Sequence, residues 1–186
     1  MSELIDVVDE NNIVVGQEMR DVVHSKGLFH RAVNIFIFNS NGQILLQKRS
    51  ATKDVCPSTW DLSTSETLKV EETYLQAAIR GLQEELGINS KLTKIRNVHL
   101  QKNEYFDGKI KDYEFVELYK AVHSGKIRLD KNEVSNVCFF TIEEIKNMIN
   151  QNKNQLTPWF LDEWKYLEEN RIVDLLYKKT DIAIKK

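Results

Sequence analysis

The stretch Ala77–Ile88, AAIRGLQEELGI, is the one whose reading decides the fold. Its residues favour a helix throughout except Gly81, and Gly87 stands where a left-handed C-terminal cap belongs. Further back, Leu75 and Ala78 join Ile79, Leu82 and Leu86 at helical spacing, which predicts one apolar stripe. Glu71, Glu72 and Thr73 lead into the helix. Positions 81, 84 and 85 then share a side, with Leu82 and Leu86 turned to the core. A glycine inside a helix costs about 1 kcal/mol relative to alanine, so Gly81 calls for a reason. Glu84 and Glu85 are adjacent carboxylates at the end of the helix, where the macrodipole disfavours negative charge. They fit either a solvated acidic face or a site for magnesium, which takes hard oxygen ligands and keeps substrate phosphates in its shell.

Outward from this helix the chain is dominated by strands. HRAVNIFIFNSNGQILLQKRS (30–50) predicts a hairpin turned at Asn41-Gly42. Val33, Ile35 and Ile37 fill one face of its first strand and Ala32, Phe36 and Phe38 the other, so that strand is expected to be buried on both sides. LIDVVDENNIVVGQEM predicts two short strands around Asp9 to Asn12. ATKDVCPSTWDLSTSETLKVE has no sustained period and reads as a loop with a short strand near Trp60 to Ser63. After the helix come KLTKIRNVHLQKNEYF, a turn at Asp107-Gly108, and YEFVELYKAVH as a strand. EVSNVCFFTIEEIKNMI predicts a strand and then a helix, with Thr141 and Glu144 as a capping box. TPWFLDEWKYLEENRIVDLLYK predicts a docked helix with Pro158 in its first turn and Phe160, Trp164 and Leu167 at core spacing. Trp159, Phe160 and Trp164 read as core rather than as walls of a base pocket. Strands mixed with about three helices give an α/β or α+β domain.

The 186 residues fit one domain, long enough to bury a core without disulfides or a structural metal. A net charge of −2 argues against broad nucleic-acid binding, which needs basic surface. Cys56 and Cys138 form neither a disulfide framework nor a zinc pattern, and reduced thiols point to a cytoplasmic protein. The acidic start MSELIDVVDE lacks the apolar core of a signal peptide, and no apolar run is long enough to span a membrane.

The segment from Glu66 to Ile88 resembles the Nudix box, G-x5-E-x7-R-E-U-x-E-E-x-G-U with U aliphatic, the signature of hydrolases that cut a nucleoside diphosphate linked to another group. Glu72, Arg80, Leu82, Glu84, Glu85, Gly87 and Ile88 match it at the right spacing. HRAVNIFIFNSNGQILLQKRS, CPSTWDLSTS and NEVSNVCFFTIEEI resemble the flanking segments of the branch that includes isopentenyl-diphosphate isomerases. The resemblance implies an α/β/α sandwich with a mixed β-sheet between helices. It implies a single domain over 1–186, in which 1–30 forms an N-terminal β-hairpin extension and 157–186 a C-terminal helical extension. It further implies Mg2+ or Mn2+ held by Glu84 and Glu85, and Arg80 paired with Glu72 to shape the loop and helix. The substrate would be a small-molecule diphosphate. Glu114 and Glu133 are candidates for a further carboxylate, and Lys48 and Arg49 for facing phosphates. His30 reads as structural.

Two positions depart from the pattern. The leading glycine is Glu66, and the glutamate after the arginine is Gly81. In the family that glutamate acts with the next two on metal or attacking water. Glu66 therefore has two readings: a loop residue in place of a turn glycine, or a carboxylate substituting for the missing one. The function has three: a diphosphate hydrolase, a protein that binds a diphosphate with little or no turnover, and an isoprenoid-diphosphate isomerase. Isomerases of the family place a cysteine five residues after the tryptophan and a histidine two further on; here those positions hold Ser65 and Thr67. The hydrolase reading is preferred.

Overall fold

Strand β3 (Phe29–Phe38) is apolar on both sides, and the chain buries both: every residue from Ala32 to Phe38 is buried. The computed structural model describes residues 3–172. Ahead of β3 come β1 (Leu4–Val8), β2 (Val14–Met19) and α1 (Arg20–Lys26). After it come β4 (Ile44–Arg49), β5 (Trp60–Asp61), β6 (Thr64–Thr67) and α2 (Tyr74–Leu86). The chain continues through β7 (Thr93–Tyr105), β8 (Ile110–Val122), β9 (Val134–Phe140), α3 (Ile142–Asn152) and α4 (Pro158–Glu169), with a 3-10 turn at Lys153–Gln155. Among the described residues the strands form one mixed nine-stranded sheet. β3 pairs antiparallel with β1, β4 and β6 and parallel with β8. In that register Val33 lies opposite Glu66, Asn34 opposite Ser65, and His30 opposite Glu114.

The alternation along β3 divides the core in two. Val33, Ile35 and Ile37 pack with Leu45, Tyr119 and the inner face of α2. Phe36 and Phe38 pack on the other side with Ile44, Leu46, Leu118, Ile145 of α3 and Phe160, Trp164 and Leu167 of α4. The result is a sheet between helices, as the resemblance to the Nudix box implies. Phe160 and Trp164 stack with ring centroids 6.0 Å apart, so they are core. Glu163, also on α4, is fully buried; its charge is met by Arg96 at 2.9 Å, Gln101 at 3.0 Å, His99 at 3.0 Å and Asn34 at 3.2 Å. No helix among the described residues is long and apolar enough to cross a membrane.

Two details differ from the sequence expectation. Helix α1 falls within 1–30, where only a hairpin is predicted; with about two turns and only Val23 and His24 buried, it offers no apolar stripe to detect. The predicted terminal helix extends over α4, and residues 173–186 of its expected range lie outside the described residues.

Phe36 has no exposed surface and meets Phe160 edge-on at 5.9 Å. Phe36→Ala is therefore expected to destabilise the fold by about 3–5 kcal/mol, read by denaturant unfolding; a loss below about 1 kcal/mol would contradict this two-sided packing.

Candidate functional site

Local signals set the limits of α2. Thr73 and Gln76 form a reciprocal capping box at its start. Gly87 closes it at φ 64, a conformation open to glycine and strained for other residues. The segment after β8 covers this end: Arg128 N–H donates to the Leu86 carbonyl at 2.9 Å, and Asp130 N–H to that of Glu85 at 3.0 Å.

The face that α2 buries keeps Ala78, Leu82 and Leu86 of the predicted stripe but not its other two residues. Leu75 and Ile79 are about half exposed, at 47% and 51%. The inner face is Ala77, Ala78, Gly81, Leu82, Glu85 and Leu86. The helix is rotated so that Gly81 and Glu85 join the leucines against the sheet, while Glu84 stays half exposed. A glutamate at a core-facing position is the opposite of what apolar periodicity anticipates.

Arg80 organises the site. Its Nε and Nη2 donate to the two oxygens of Glu72, both at 2.9 Å. Nη1 donates to Glu66 at 2.8 Å and Glu84 at 3.2 Å, and Nη2 also reaches the Thr67 carbonyl at 3.0 Å. Burial alone would raise the Glu72 pKa, but Arg80 and the Lys69 N–H outweigh it and hold it below the ordinary range. Glu72 also accepts from that N–H at 2.9 Å, which ties the loop before α2 to the helix.

Glu85 is only 5% exposed and accepts from Gln47 Nε2 at 2.9 Å. The Glu66 carboxyl lies near enough to act on it electrostatically. Burial, with the Glu66 charge beside it, raises its pKa well above the carboxylate range; Lys53 opposes this. Lys53 in turn forms an ion pair with Glu133. Lys69 approaches Glu84 at 3.9 Å.

The sequence candidates thus separate. Glu66, Glu72, Arg80, Glu84 and Glu85 come together, with Glu133 linked through Lys53. Glu114 lies opposite His30 in the β3–β8 ladder, on the sheet face away from α2, and pairs with His30 at 3.3 Å. Arg49 is held by Asp61 at 3.0 Å and the Val55 carbonyl, with its guanidinium 5.1 Å from the centre of the Trp159 ring. Lys48 lies over the Trp60 ring at 5.8 Å. Gln47, Lys53 and Lys69 were not singled out by the sequence; a strand glutamine and two loop lysines carry no local pattern, and only tertiary pairing brings them to α2.

A second polar cluster lies around His30. His24 and His30 each approach Asp112, at 3.5 and 3.4 Å. One ligand atom from each of the three lies within 4.8 Å of the others, close enough to share a cation. Burial pushes His24 down to about 4, helped by Arg20. Burial also opposes charge on His30, but Asp112 and Glu114 prevail and raise it to about 9.

Residues 28–160 match the family model of the NUDIX domain. The chain is 31% identical to an isopentenyl-diphosphate Delta-isomerase of Serratia proteamaculans, over 92% of this chain and 95% of that one. It is 33% identical to an uncharacterized Nudix hydrolase of Listeria monocytogenes, over 83% and 88%. Among solved structures it resembles DR0079 from Deinococcus radiodurans, with a TM-score of 0.65 and 26% identity over 81% of this chain and 90% of that one. The NUDIX domain of Shewanella oneidensis NrtR, solved with ADP ribose, shares the fold at a TM-score of 0.56 and 17% identity, over 76% and 87%.

The His30 pairing predicts a pH signature. A histidine raised from 6.5 to about 9 adds stability that is complete below about 6.5 and lost as pH rises through about 9. The stability gap between the wild type and His30→Gln, measured by thermal unfolding, is expected to narrow over that window. A gap that stays constant or widens would contradict a charged His30.

Proposed function

The chain belongs to the Nudix family, and from that membership we propose a metal-dependent hydrolase that cleaves a diphosphate linkage in a nucleoside-diphosphate-like or related small molecule. The observation that carries this reading is the carboxyl of Glu85, buried at 5% exposure beside a second carboxylate, Glu66, on a frame held by Arg80. Buried like charges need a proton or a cation between them. Three carboxylates, Glu66, Glu84 and Glu85, offer only hard oxygen donors, and that donor set fits Mg2+ or Mn2+. When bound, such an ion would neutralise the diphosphate and lower the pKa of a water molecule.

The remaining roles belong to the protein. Arg80 and Glu72 hold the loop against α2 and orient Glu84 and Glu66. Burial and the Glu66 charge beside it raise the Glu85 pKa, which favours either a proton or a cation at its carboxyl. Lys53 brings positive charge toward the carboxylates. Of Lys48 and Arg49, Lys48 is better placed to meet a phosphate, because Arg49 is already committed to Asp61 and Val55. The cysteines Cys56 and Cys138 are free thiols, in keeping with a cytoplasmic location.

A second reading, isomerisation of an isoprenoid diphosphate, draws on the Serratia relative's name. Against it stand Ser65 and Thr67, which supply neither a thiol nor an imidazole; the Ser65 hydroxyl donates to Asn34 at 2.8 Å. A third, binding without turnover, draws on the departures at positions 66 and 81.

Wild type and Glu85→Gln can be compared by phosphorus NMR on nucleoside diphosphates, nucleoside-diphosphate-linked compounds and isopentenyl diphosphate, each with Mg2+ or Mn2+. Hydrolysis by the wild type is expected, with a loss of roughly 10²–10⁴-fold in the variant. No turnover of any compound would favour the binding reading. Isomerisation of isopentenyl diphosphate would overturn the hydrolase assignment.

A further inference from the structure

Glu66 and Gly81, the two departures from the Nudix pattern, meet in space. Glu66 lies in strand β6 with an extended backbone, so its place does not need the positive φ that a turn glycine would supply. It pairs with Val33, whose side chain packs with α2, and directly opposed residues in a ladder point to the same side. Glu66 therefore faces α2, and what it faces is Gly81. A Cβ added at Gly81 would stand 2.4 Å from Glu66 Cγ, 3.3 Å from Glu66 Cδ and 2.8 Å from Thr64 Cγ2. No side chain fits at 81 while Glu66 occupies this space. In the Nudix pattern the two residue types are reversed: glycine stands at the position of Glu66 and glutamate at that of Gly81.

We propose that Glu66 and Gly81 are a matched exchange, in which strand β6 rather than helix α2 supplies the third metal-facing carboxylate. The box is then complete in chemistry and altered only in which segment carries one group. A carboxylate has two oxygens to share. Glu66 Oε2 accepts from Arg80 at 2.8 Å, which fixes the side chain against the inner face of α2, where Glu85 lies one turn beyond Gly81. The exchange also explains the interior glycine: the helix-propensity loss at 81 is the condition for admitting the strand's glutamate. Glu66 is thus a ligand-side residue rather than a loop substitution. This inference rests on the metal-dependent reading of the site.

The test is Mn2+ binding to the substrate-free protein, measured by titration calorimetry. Glu66→Gln keeps the shape and removes the charge; it is expected to weaken Mn2+ by roughly 10–100-fold while remaining folded. Glu66→Asp, which keeps the charge, should lose less. The reverse exchange, Glu66→Gly with Gly81→Glu, is made with Thr64→Ser to remove the second obstructing methyl, and should recover most of the lost affinity. Gly81→Ala reports the geometry separately. In the wild type it should lower the melting temperature, by roughly 5 °C or more. In the Glu66→Gly, Thr64→Ser background it should raise it. Mn2+ affinity within about two-fold of wild type in Glu66→Gln, or no Mn2+ binding by the wild type, would overturn the inference. Mn2+ binding that follows residues 66 and 81 without turnover of any diphosphate would sustain it and defeat the hydrolase reading alone.

Discussion

The guanidinium of Arg80 is the interaction on which the site depends. It engages Glu72 through two parallel hydrogen bonds and takes Glu66 and Glu84 on its remaining edge. A rigid planar fork can hold three carboxylates in fixed relation where a lysine would offer one mobile point charge. Through Glu72 it anchors the loop ahead of α2; through Glu66 it anchors strand β6; through Glu84 it reaches the next turn of its own helix. Glu85 is not among its partners. Buried against Gln47 and Glu66, it keeps a charge imbalance that the fold leaves unresolved. Native interiors seldom tolerate such an imbalance without a proton, a cation or a function that uses it.

The two faces of β3 separate two kinds of polar chemistry. On the α2 side the groups are carboxylates, suited to hard cations. On the other side His24, His30, Asp112 and Glu114 form a mixed cluster, and Glu163 draws Arg96, His99, Gln101 and Asn34 around one buried charge. Strand alternation makes this division. His30 and Val33 are three residues apart and so project to opposite faces, and the partners opposite them, Glu114 and Glu66, follow. Glu114 and Glu66 therefore serve different faces of the sheet, although both are acidic residues on strands that pair with β3.

Signals confined to a few neighbouring residues were legible in the sequence. The β3–β4 hairpin followed from Asn41-Gly42, the end of α2 from Gly87, and the start of α3 from Thr141 and Glu144, and each is present. The burial of β3 on both sides followed from its unbroken apolar run. What was not legible depends on register or rotation between distant segments. The inner face of α2 admits Gly81 and Glu85 and leaves Ile79 outside because β6 and β4 present Glu66 and Gln47 to it, and apolar periodicity has no means to register that preference. Helix α1 was missed because so short a helix carries no repeat. The meaning of Glu66 required the pairing of Val33 in β3 with Glu66 in β6, a contact between segments far apart in the chain. The two box departures looked like separate losses in one dimension and are one contact in three.

The most direct measurement of this account is the anomalous scattering of Mn2+ in crystals of the substrate-free protein. The account predicts a peak between the carboxyls of Glu66 and Glu85, at roughly 2.0–2.3 Å from oxygens of each, with Glu84 beside it. A peak that engages Glu84 or the His24, His30 and Asp112 cluster while leaving Glu66 bound only to Arg80 would contradict it.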